Sequence, residues 1–131
     1  MIWERPLWVR LAAISGFVSV AAGAFAAHGI ADPASRELLR IGSQYEAIHA
    51  LATLAWAALV PSRGAGASWP PALFLGGSAL FSGSLYALAL GAPRWTGAVT
   101  PLGGLMFLTG WTIFAWRAGL AGSGVGRHSE S

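Results

Sequence analysis

The chain has 131 residues, of which 55% are hydrophobic and 10% are charged. Because a soluble domain carries about 25% charged residues, this composition excludes an ordinary water-soluble fold and indicates an integral membrane protein. The chain has no cysteine, which excludes disulfide bonds and zinc–thiolate sites. Its eight basic residues are all arginines scattered along the chain, so the pI of ≈ 10.7 does not indicate nucleic acid as a partner.

Four apolar segments follow one another along the chain, each close to the ~20 residues that a membrane-spanning helix needs. They predict spans at about residues 8–29, 41–60, 71–91 and 98–117. Short connectors rich in proline and glycine separate them. We therefore predict an all-α fold, an integral membrane four-helix bundle made of two helical hairpins, as a single domain over residues 1–117. The glycine- and serine-rich residues 118–131 are predicted to form a disordered tail.

The second segment differs from the other three because it carries ionisable residues. Its uncharged part, from Ala47 to Val60, has only 14 residues and is too short to cross a bilayer. Extending it back to Ile41 gives 20 residues and places Glu46 and His49 inside the span. Burying an unpaired carboxylate in hydrocarbon costs several kcal/mol, so Glu46 must be protonated, paired or hydrated.

The arginines predict the orientation of the bundle. An even number of spans places both termini on one side, and that side collects five arginines against three on the other. Because positive charge is enriched on the cytoplasmic side of membrane proteins, both termini are predicted to be cytoplasmic. The lipid bilayer is thus the first partner that the sequence implies.

Small residues recur at every fourth position on the first and third spans, which lets another helix approach closely. On the first span they are Ser15, Ser19 and Gly23, and on the third they are Ala79, Gly83 and Ala87. Two interpretations stay open: each set is a packing seam within one bundle, or one of them is the interface of a homo-oligomer.

Connectivity predicts that the polar side chains of the spans gather toward one leaflet, opposite the termini. The end of the first span and the start of the second lie on the same side of the bilayer, as do the end of the third and the start of the fourth. The predicted pocket comprises His28, Tyr45, Glu46, His49, Ser82, Ser84, Tyr86 and Thr100. Within it, Glu46 and His49 are three residues apart and share a helix face.

Three interpretations of this pocket compete. In the first, Glu46, His28 and His49 form hydrogen bonds that hold the two hairpins in register. In the second, the same three residues bind a divalent metal ion, because two imidazoles and one carboxylate suit such an ion with an open position. In the third, the pocket titrates protons or contacts a ligand such as a quinone or a lipid headgroup.

Five ordered motifs resemble the bacterial domain-of-unknown-function family 423, whose eukaryotic relative is transmembrane protein 256. They are GAFAAHG, YEAIHALA, LFSGSLYALAL, TPLGG and GW, and the resemblance covers about residues 7–117. It implies a small multi-span protein of the bacterial inner membrane, and His28 and His49 match its motif positions. The family tends to have Gln where this chain has Glu46, and Gly where it has Ala26. A neutral amide at position 46 argues against Glu46 as an indispensable metal ligand or proton carrier.

The leading functional hypothesis is a non-catalytic membrane protein, either an accessory subunit of a larger membrane complex or a binder of a small ligand. It would act through the pocket lined by His28, Glu46 and His49. The alternative is a metal- or quinone-dependent membrane enzyme that uses the same residues. A transporter is a third hypothesis, and it would need an oligomer, because a chain of this length gives no internal pathway. Among possible cofactors, a divalent metal is the one that the residues suggest.

Overall fold

The computed structural model describes residues 3–60 and 66–123, which form four long α-helices and contain no strand. A short 3₁₀ helix, Arg94–Ala98, precedes the last of them. The four α-helices in chain order are α1 (Arg5–His28), α2 (Pro33–Leu59), α3 (Trp69–Ala89) and α4 (Thr100–Ser123). The predicted all-α membrane bundle is therefore confirmed.

Local sequence explains where these helices begin and end. Proline occupies one of the first two positions of α1, α2 and α3, where its missing N–H leaves no hydrogen bond unmade. Asp32 caps α2 by accepting a hydrogen bond from the Ser35 backbone N–H at 2.8 Å. That bond lowers the pKa of Asp32, which lies outside the apolar part of the helix. Past the end of α3, Gly91 adopts φ +98°, a left-handed conformation that suits glycine.

Each helix packs antiparallel against the next one in the chain. The pairs Ser15–Glu46 and Ser19–Ser43 run in opposite directions along α1 and α2. α2 and α3 form a central pair, and α1 and α4 pack on different sides of it. At the far end of the pair, the Trp56 indole N–H donates to the Ala67 carbonyl at 2.8 Å, which ties the end of α2 to the start of α3.

Three helical segments are long and apolar enough to cross a membrane: Arg5–His28, Trp69–Ala89 and Arg94–Leu120. α2 is the longest helix, with 27 residues, but it falls outside this group. Its first seventeen residues include charged and polar side chains, namely Arg36, Glu37, Arg40, Gln44, Glu46 and His49. A crossing by α2, and thus the full set of four spans, stays a prediction.

The observed helix ends differ from the predicted spans mainly at α2 and α4. α2 begins at Pro33 and not near Ile41, because the cap at Asp32 starts the helix eight residues earlier. α4 continues to Ser123, so residues 118–123, predicted to be disordered, are helical. The rest of the predicted tail, residues 124–131, lies outside the described part of the chain.

The small residues of α1 lie against α2. The Ser43 hydroxyl donates to the Ser19 carbonyl at 2.8 Å, and a Cβ added at Gly23 would lie 2.9 Å from the Ser43 hydroxyl oxygen. Ser15 contacts Glu46 of α2 through its own hydroxyl. The face marked by Ser15, Ser19 and Gly23 is therefore the α1 face that packs on α2.

The small residues of α3 require a correction. A Cβ added at Gly83 would meet nothing within 4 Å, and Ala79 is exposed, so these two residues form no packing seam with the other described helices. Ala87, the third member of the predicted seam, is half-buried. The close approach of α3 to α4 instead uses Gly77 and Gly103, where a Cβ on Gly103 would lie 2.7 Å from the Gly77 carbonyl oxygen. A small residue at every fourth position therefore does not show which face of a glycine-rich helix packs against its neighbour.

Candidate functional site

Glu46 is the centre of a polar cluster that joins three helices. Its carboxylate accepts a hydrogen bond from the Tyr86 hydroxyl of α3 at 2.6 Å and one from the Ser15 hydroxyl of α1 at 3.1 Å. The side chain is 7% exposed. Each carboxylate oxygen thus has one donor, and the donors come from the two helices that flank α2.

Gly42 and Ser82 position Tyr86 for this contact. A Cβ on Gly42 would lie 2.6 Å from the Tyr86 ring, so only glycine lets the ring lie flat against α2 at this point. One turn before Tyr86, the Ser82 hydroxyl donates to the Gly42 carbonyl at 2.6 Å. The phenol is therefore held against α2 by a hydrogen bond and by close backbone contact.

The depth of Glu46 differs from the prediction. It lies thirteen residues after Pro33, or ~20 Å along α2, and is therefore near the middle of a 27-residue helix. Its partner Ser15 is likewise near the middle of α1. Glu46 is thus further from the start of α2 than predicted, because α2 starts earlier than its apolar residues suggest. The position of the polar pocket relative to the two leaflets stays a prediction.

His28 lies apart from this cluster. It is the last residue of α1, is exposed, and lies ~20 Å along that helix from Ser15. Among the described residues, no group of three His, Cys, Asp or Glu side chains lies close enough to hold a metal ion. The predicted metal site of His28, Glu46 and His49 is therefore not formed.

His49 is buried one turn after Glu46 on α2, where it faces α3 and α4, and both of its ring nitrogens are already bonded. Nδ1 lies 2.6 Å from the Tyr45 carbonyl oxygen, which can only accept, so Nδ1 carries a proton. The Trp111 indole N–H donates to Nε2 at 3.1 Å, so Nε2 carries none. His49 is thus a neutral imidazole in a single tautomer, with no nitrogen free for a metal.

Aromatic rings surround His49. The Phe107 ring stacks on the imidazole with centroids 3.5 Å apart and an angle of 5° between the planes. Phe74 and Trp111 lie 5.6 Å and 6.1 Å from it. Tyr45, 43% exposed, packs on Phe81 at 4.6 Å. These rings connect α2 to α4 across the edge of α3.

An open groove runs along these rings between α2 and α4. Its volume is about 1080 Å³. Tyr45, Ile48 and His49 of α2 form one wall, and Phe81 of α3 forms the floor. The other wall is formed by residues of α4, namely Pro101, Gly104, Leu105, Phe107, Leu108 and Trp111. Polar atoms contribute little to this surface, so the groove suits an apolar molecule.

Ser84 and Thr100 form a separate contact at the start of α4. Their hydroxyl oxygens are 2.6 Å apart, and Ser84 also donates to the Phe81 carbonyl at 2.9 Å. The eight predicted pocket residues therefore separate into three groups and one exposed histidine. Glu46, Tyr86 and Ser82 lie together, His49 lies with Tyr45 beside the groove, and Ser84 pairs with Thr100.

Sequence reasoning missed the α4 wall of the groove. Phe107, Trp111 and Phe114 are spaced by four and three residues, which places them on one helix face. This spacing predicts a common aromatic face on α4, just as the spacing of small residues predicts a packing face. Ser15 was predicted only as a packing residue, although it is also a hydrogen-bond donor to Glu46.

Comparison with known proteins gives consistent matches. The sequence pattern of a family described as "Protein of unknown function (DUF423)" matches residues 22–104. The UPF0382 inner membrane protein YgdD of Escherichia coli is 42% identical over 106 residues, which cover 78% of this chain and 81% of that protein. A UPF0382 membrane protein of Haemophilus influenzae is 40% identical over 112 residues, covering 83% and 90%.

A more distant relative extends the range of organisms. A UPF0382 membrane protein of Staphylococcus epidermidis is 34% identical over 110 residues, which cover 82% of this chain and 90% of that protein. No solved structure matches the chain. The relatives agree with the composition and the helices in indicating a membrane protein.

Proposed function

The chain belongs to the DUF423 family of membrane proteins, and we propose that it is a non-catalytic binder of one bilayer amphiphile in the groove between α2 and α4. The ligand class is a molecule with an apolar tail and a small polar head, such as a lipid or a quinone. The name of the Escherichia coli relative suggests the bacterial inner membrane as the location. The observation that carries the proposal is the aromatic groove itself.

The shape and chemistry of the groove support a bilayer ligand. Ligand sites typically measure about 300–1,000 Å³ and are mostly apolar with a few polar groups, and this groove has about 1080 Å³. Its α4 wall includes Leu105 and Leu108, which are 60% and 66% exposed. In a membrane protein such side chains face acyl chains, so a molecule can enter sideways from the bilayer.

The length of the groove indicates a ligand from a single leaflet. Its α4 wall runs from Pro101 to Trp111, ten residues or ~15 Å along the helix. The hydrocarbon core of a bilayer is ~30 Å thick, so the groove covers about half of it. The end of the groove that is nearest the start of α4 is lined by Gln44 and Pro101, and a polar head would lie there.

The hydrogen bonding of His49 favours binding over catalysis. Because both nitrogens are engaged, by Tyr45 and Trp111, the imidazole has no nitrogen free to accept a proton from a substrate. Its neutral ring instead contributes a flat wall, stacked on Phe107. The hypothesis of a metal-dependent enzyme is not supported, because the three residues that would coordinate the metal do not come together. A quinone stays among the molecules that the groove could bind.

Two glycine variants test the proposal as a matched pair. Gly104 lines the groove, and a Cβ there would come no closer than 4.0 Å to another residue, so Gly104→Leu fills the groove without displacing α3. Gly83→Leu adds the same side chain on α3, in open space outside the groove. We expect roughly tenfold less bound amphiphile in Gly104→Leu, because overfilling a site costs about 1–3 kcal/mol.

The measurement is native mass spectrometry of the full chain purified in mild detergent, with solvent extraction to identify the bound molecule. The proposal predicts one amphiphile per chain in the wild type and in Gly83→Leu. Equal occupancy in both variants would contradict the groove as the site. A wild type that carries no small molecule but purifies as a dimer would indicate that a second copy covers the groove.

A further inference from the structure

A second cavity lies on the other side of α2, and its chemistry differs from that of the groove. It occupies about 230 Å³ between α1, α2 and α3. Ser15 and Glu46 line it together with Ser78 of α3. The remaining lining is apolar and consists of Leu11, Ile14, Val18, Leu75 and Ala79. Three oxygen-bearing side chains from three helices thus meet in an otherwise apolar crevice.

Ser78 indicates what occupies this crevice. It is 3% exposed, and its hydroxyl is buried without a hydrogen-bond partner among the described residues. A buried hydroxyl normally finds a partner, and where protein supplies none, an ordered water does so. The crevice is large enough for several waters, because each needs about 30 Å³.

Glu46 has unused capacity to bond the same water. Each of its oxygens accepts one hydrogen bond, from Tyr86 and from Ser15, whereas a carboxylate offers about four acceptor positions. No cation pairs with it in residues 3–60 or 66–123. A carboxyl group without a counter-ion in an apolar crevice is stabilised by hydrogen bonds, by a proton or by water, and Glu46 has only two hydrogen bonds from the protein.

We propose that the crevice holds water and that Glu46 is a proton-exchange site inside the membrane. The carboxylate takes a proton from hydronium to give a carboxylic acid and water, and it returns that proton by the reverse step. The crevice extends along α1 from Val18 to Leu11, which is ~9 Å from the start of the helix. In this proposal, water enters the crevice from the side of the membrane on which α1 begins, because the crevice runs from Glu46 toward that side.

The groups that face Glu46 leave it as the exchanging residue. From α3 it meets the Tyr86 phenol, whose hydroxyl donates a hydrogen bond to Oε2. From α1 it meets only the Ser15 hydroxyl, which does not titrate in water. On α2 itself, His49 is three residues away, but both of its ring nitrogens bond to other residues, namely Tyr45 and Trp111.

Infrared spectroscopy of the full chain in lipid vesicles tests the proposal. The protonated carboxyl stretch is recorded against pH in the wild type and in Glu46→Gln, and their difference isolates Glu46. Glu37→Gln, which changes an exposed carboxyl group, is the matched control. We expect a band that titrates, that is absent only from Glu46→Gln, and that shifts in deuterated water without unfolding. Ser78→Ala should slow that shift severalfold, because it removes one partner of the water.

A Glu46 band that neither titrates nor shifts in deuterated water would overturn the proposal and leave a sealed structural carboxyl group. An unchanged exchange rate in Ser78→Ala would overturn the role of the crevice. Should Glu46→Gln fail to assemble, a carbon-13 label on the glutamate carboxyl groups replaces it. Combined with Glu4→Gln, Glu37→Gln and Glu130→Gln, that label leaves Glu46 as the single labelled carboxyl side chain.

Discussion

Glu46 stabilises the bundle through hydrogen bonds to two different helices. The Tyr86 hydroxyl donates at 2.6 Å and the Ser15 hydroxyl at 3.1 Å, so the side chain links α2 to α3 and to α1. Neither bond requires a negative charge on the acceptor. An amide at this position accepts from Tyr86 through its oxygen and donates to Ser15 through its nitrogen.

We therefore expect Glu46→Gln to change thermal stability little and Glu46→Leu to lower it. Leucine leaves two buried donors without an acceptor, and at ~0.6 kcal/mol for a membrane hydrogen bond the loss is about 1 kcal/mol. The measurement is the melting temperature of the purified protein in detergent. Equal destabilisation by both variants would show that the charge of Glu46, and not its hydrogen bonding, holds the helices.

For single residues, the sequence predicts which polar side chains are buried better than it predicts their hydrogen-bond partners. Glu46 and Tyr86 were placed in one pocket, and they are bonded. His28 was placed there too, but it lies at the end of α1, about 20 Å from the level of Ser15. Depth along a helix depends on where the helix begins, and the cap at Asp32 shifted α2 by two turns.

At the scale of the helices, α3 and α4 approach each other through their backbones. A Cβ on Gly103 would lie 2.5 Å from the Phe81 backbone nitrogen and 2.7 Å from the Gly77 carbonyl oxygen. Both neighbours are backbone atoms, so they cannot rotate away. A membrane interface gains much of its stability from such backbone contact, because no hydrophobic force drives the helices together.

Gly103→Ala should therefore separate α3 from α4 and destabilise the protein by about 1–3 kcal/mol, the usual cost of overpacking. Gly83→Ala is the control, since its new Cβ meets nothing within 4 Å. Resistance to unfolding by a denaturing detergent, followed by circular dichroism, measures both variants. If Gly83→Ala proved the more damaging, that face of α3 would be packed against a second copy.

The spacing of small residues along one helix is not sufficient to predict which of its faces packs against another helix. α3 carries glycines on more than one face. The recurrence of a small residue at every fourth position predicts the face of Gly83 as the packing face, but the face of Gly77 is the one that packs on α4. On α1 the same rule selected Ser15, Ser19 and Gly23, which lie against α2. The partner helix decides which face is used, and a single helix sequence contains no information about its partner.

For the molecule as a whole, the packing of α2 supports four crossings. α2 lies antiparallel to α1 from Ser43 to Glu46, and it contacts the start of α3 through Trp56. Because α2 packs against two helices that are long and apolar enough to cross a membrane, we propose that it crosses at the same depth. Its polar residues are then accommodated by hydrogen bonds inside the bundle and not by water outside it.

Single cysteines test this topology, because the chain has none of its own. Ala31→Cys and Ala98→Cys lie in exposed positions between helices, and Glu4→Cys and Ala118→Cys lie near the two ends of the bundle. With four crossings, a membrane-impermeant maleimide labels the first pair from outside intact spheroplasts and the second pair only after lysis. Labelling of Ala31→Cys and Ala98→Cys from different sides would mean three crossings.

Since α1 and α4 pack on different sides of the central pair, a single copy encloses no lumen among its described helices. The groove between α2 and α4 opens outward instead, and the surrounding acyl chains close its remaining side. A solute that crossed the membrane here would share its route with lipid. A watertight conduit would need a second copy to supply the missing wall, so conduction by this protein would depend on assembly.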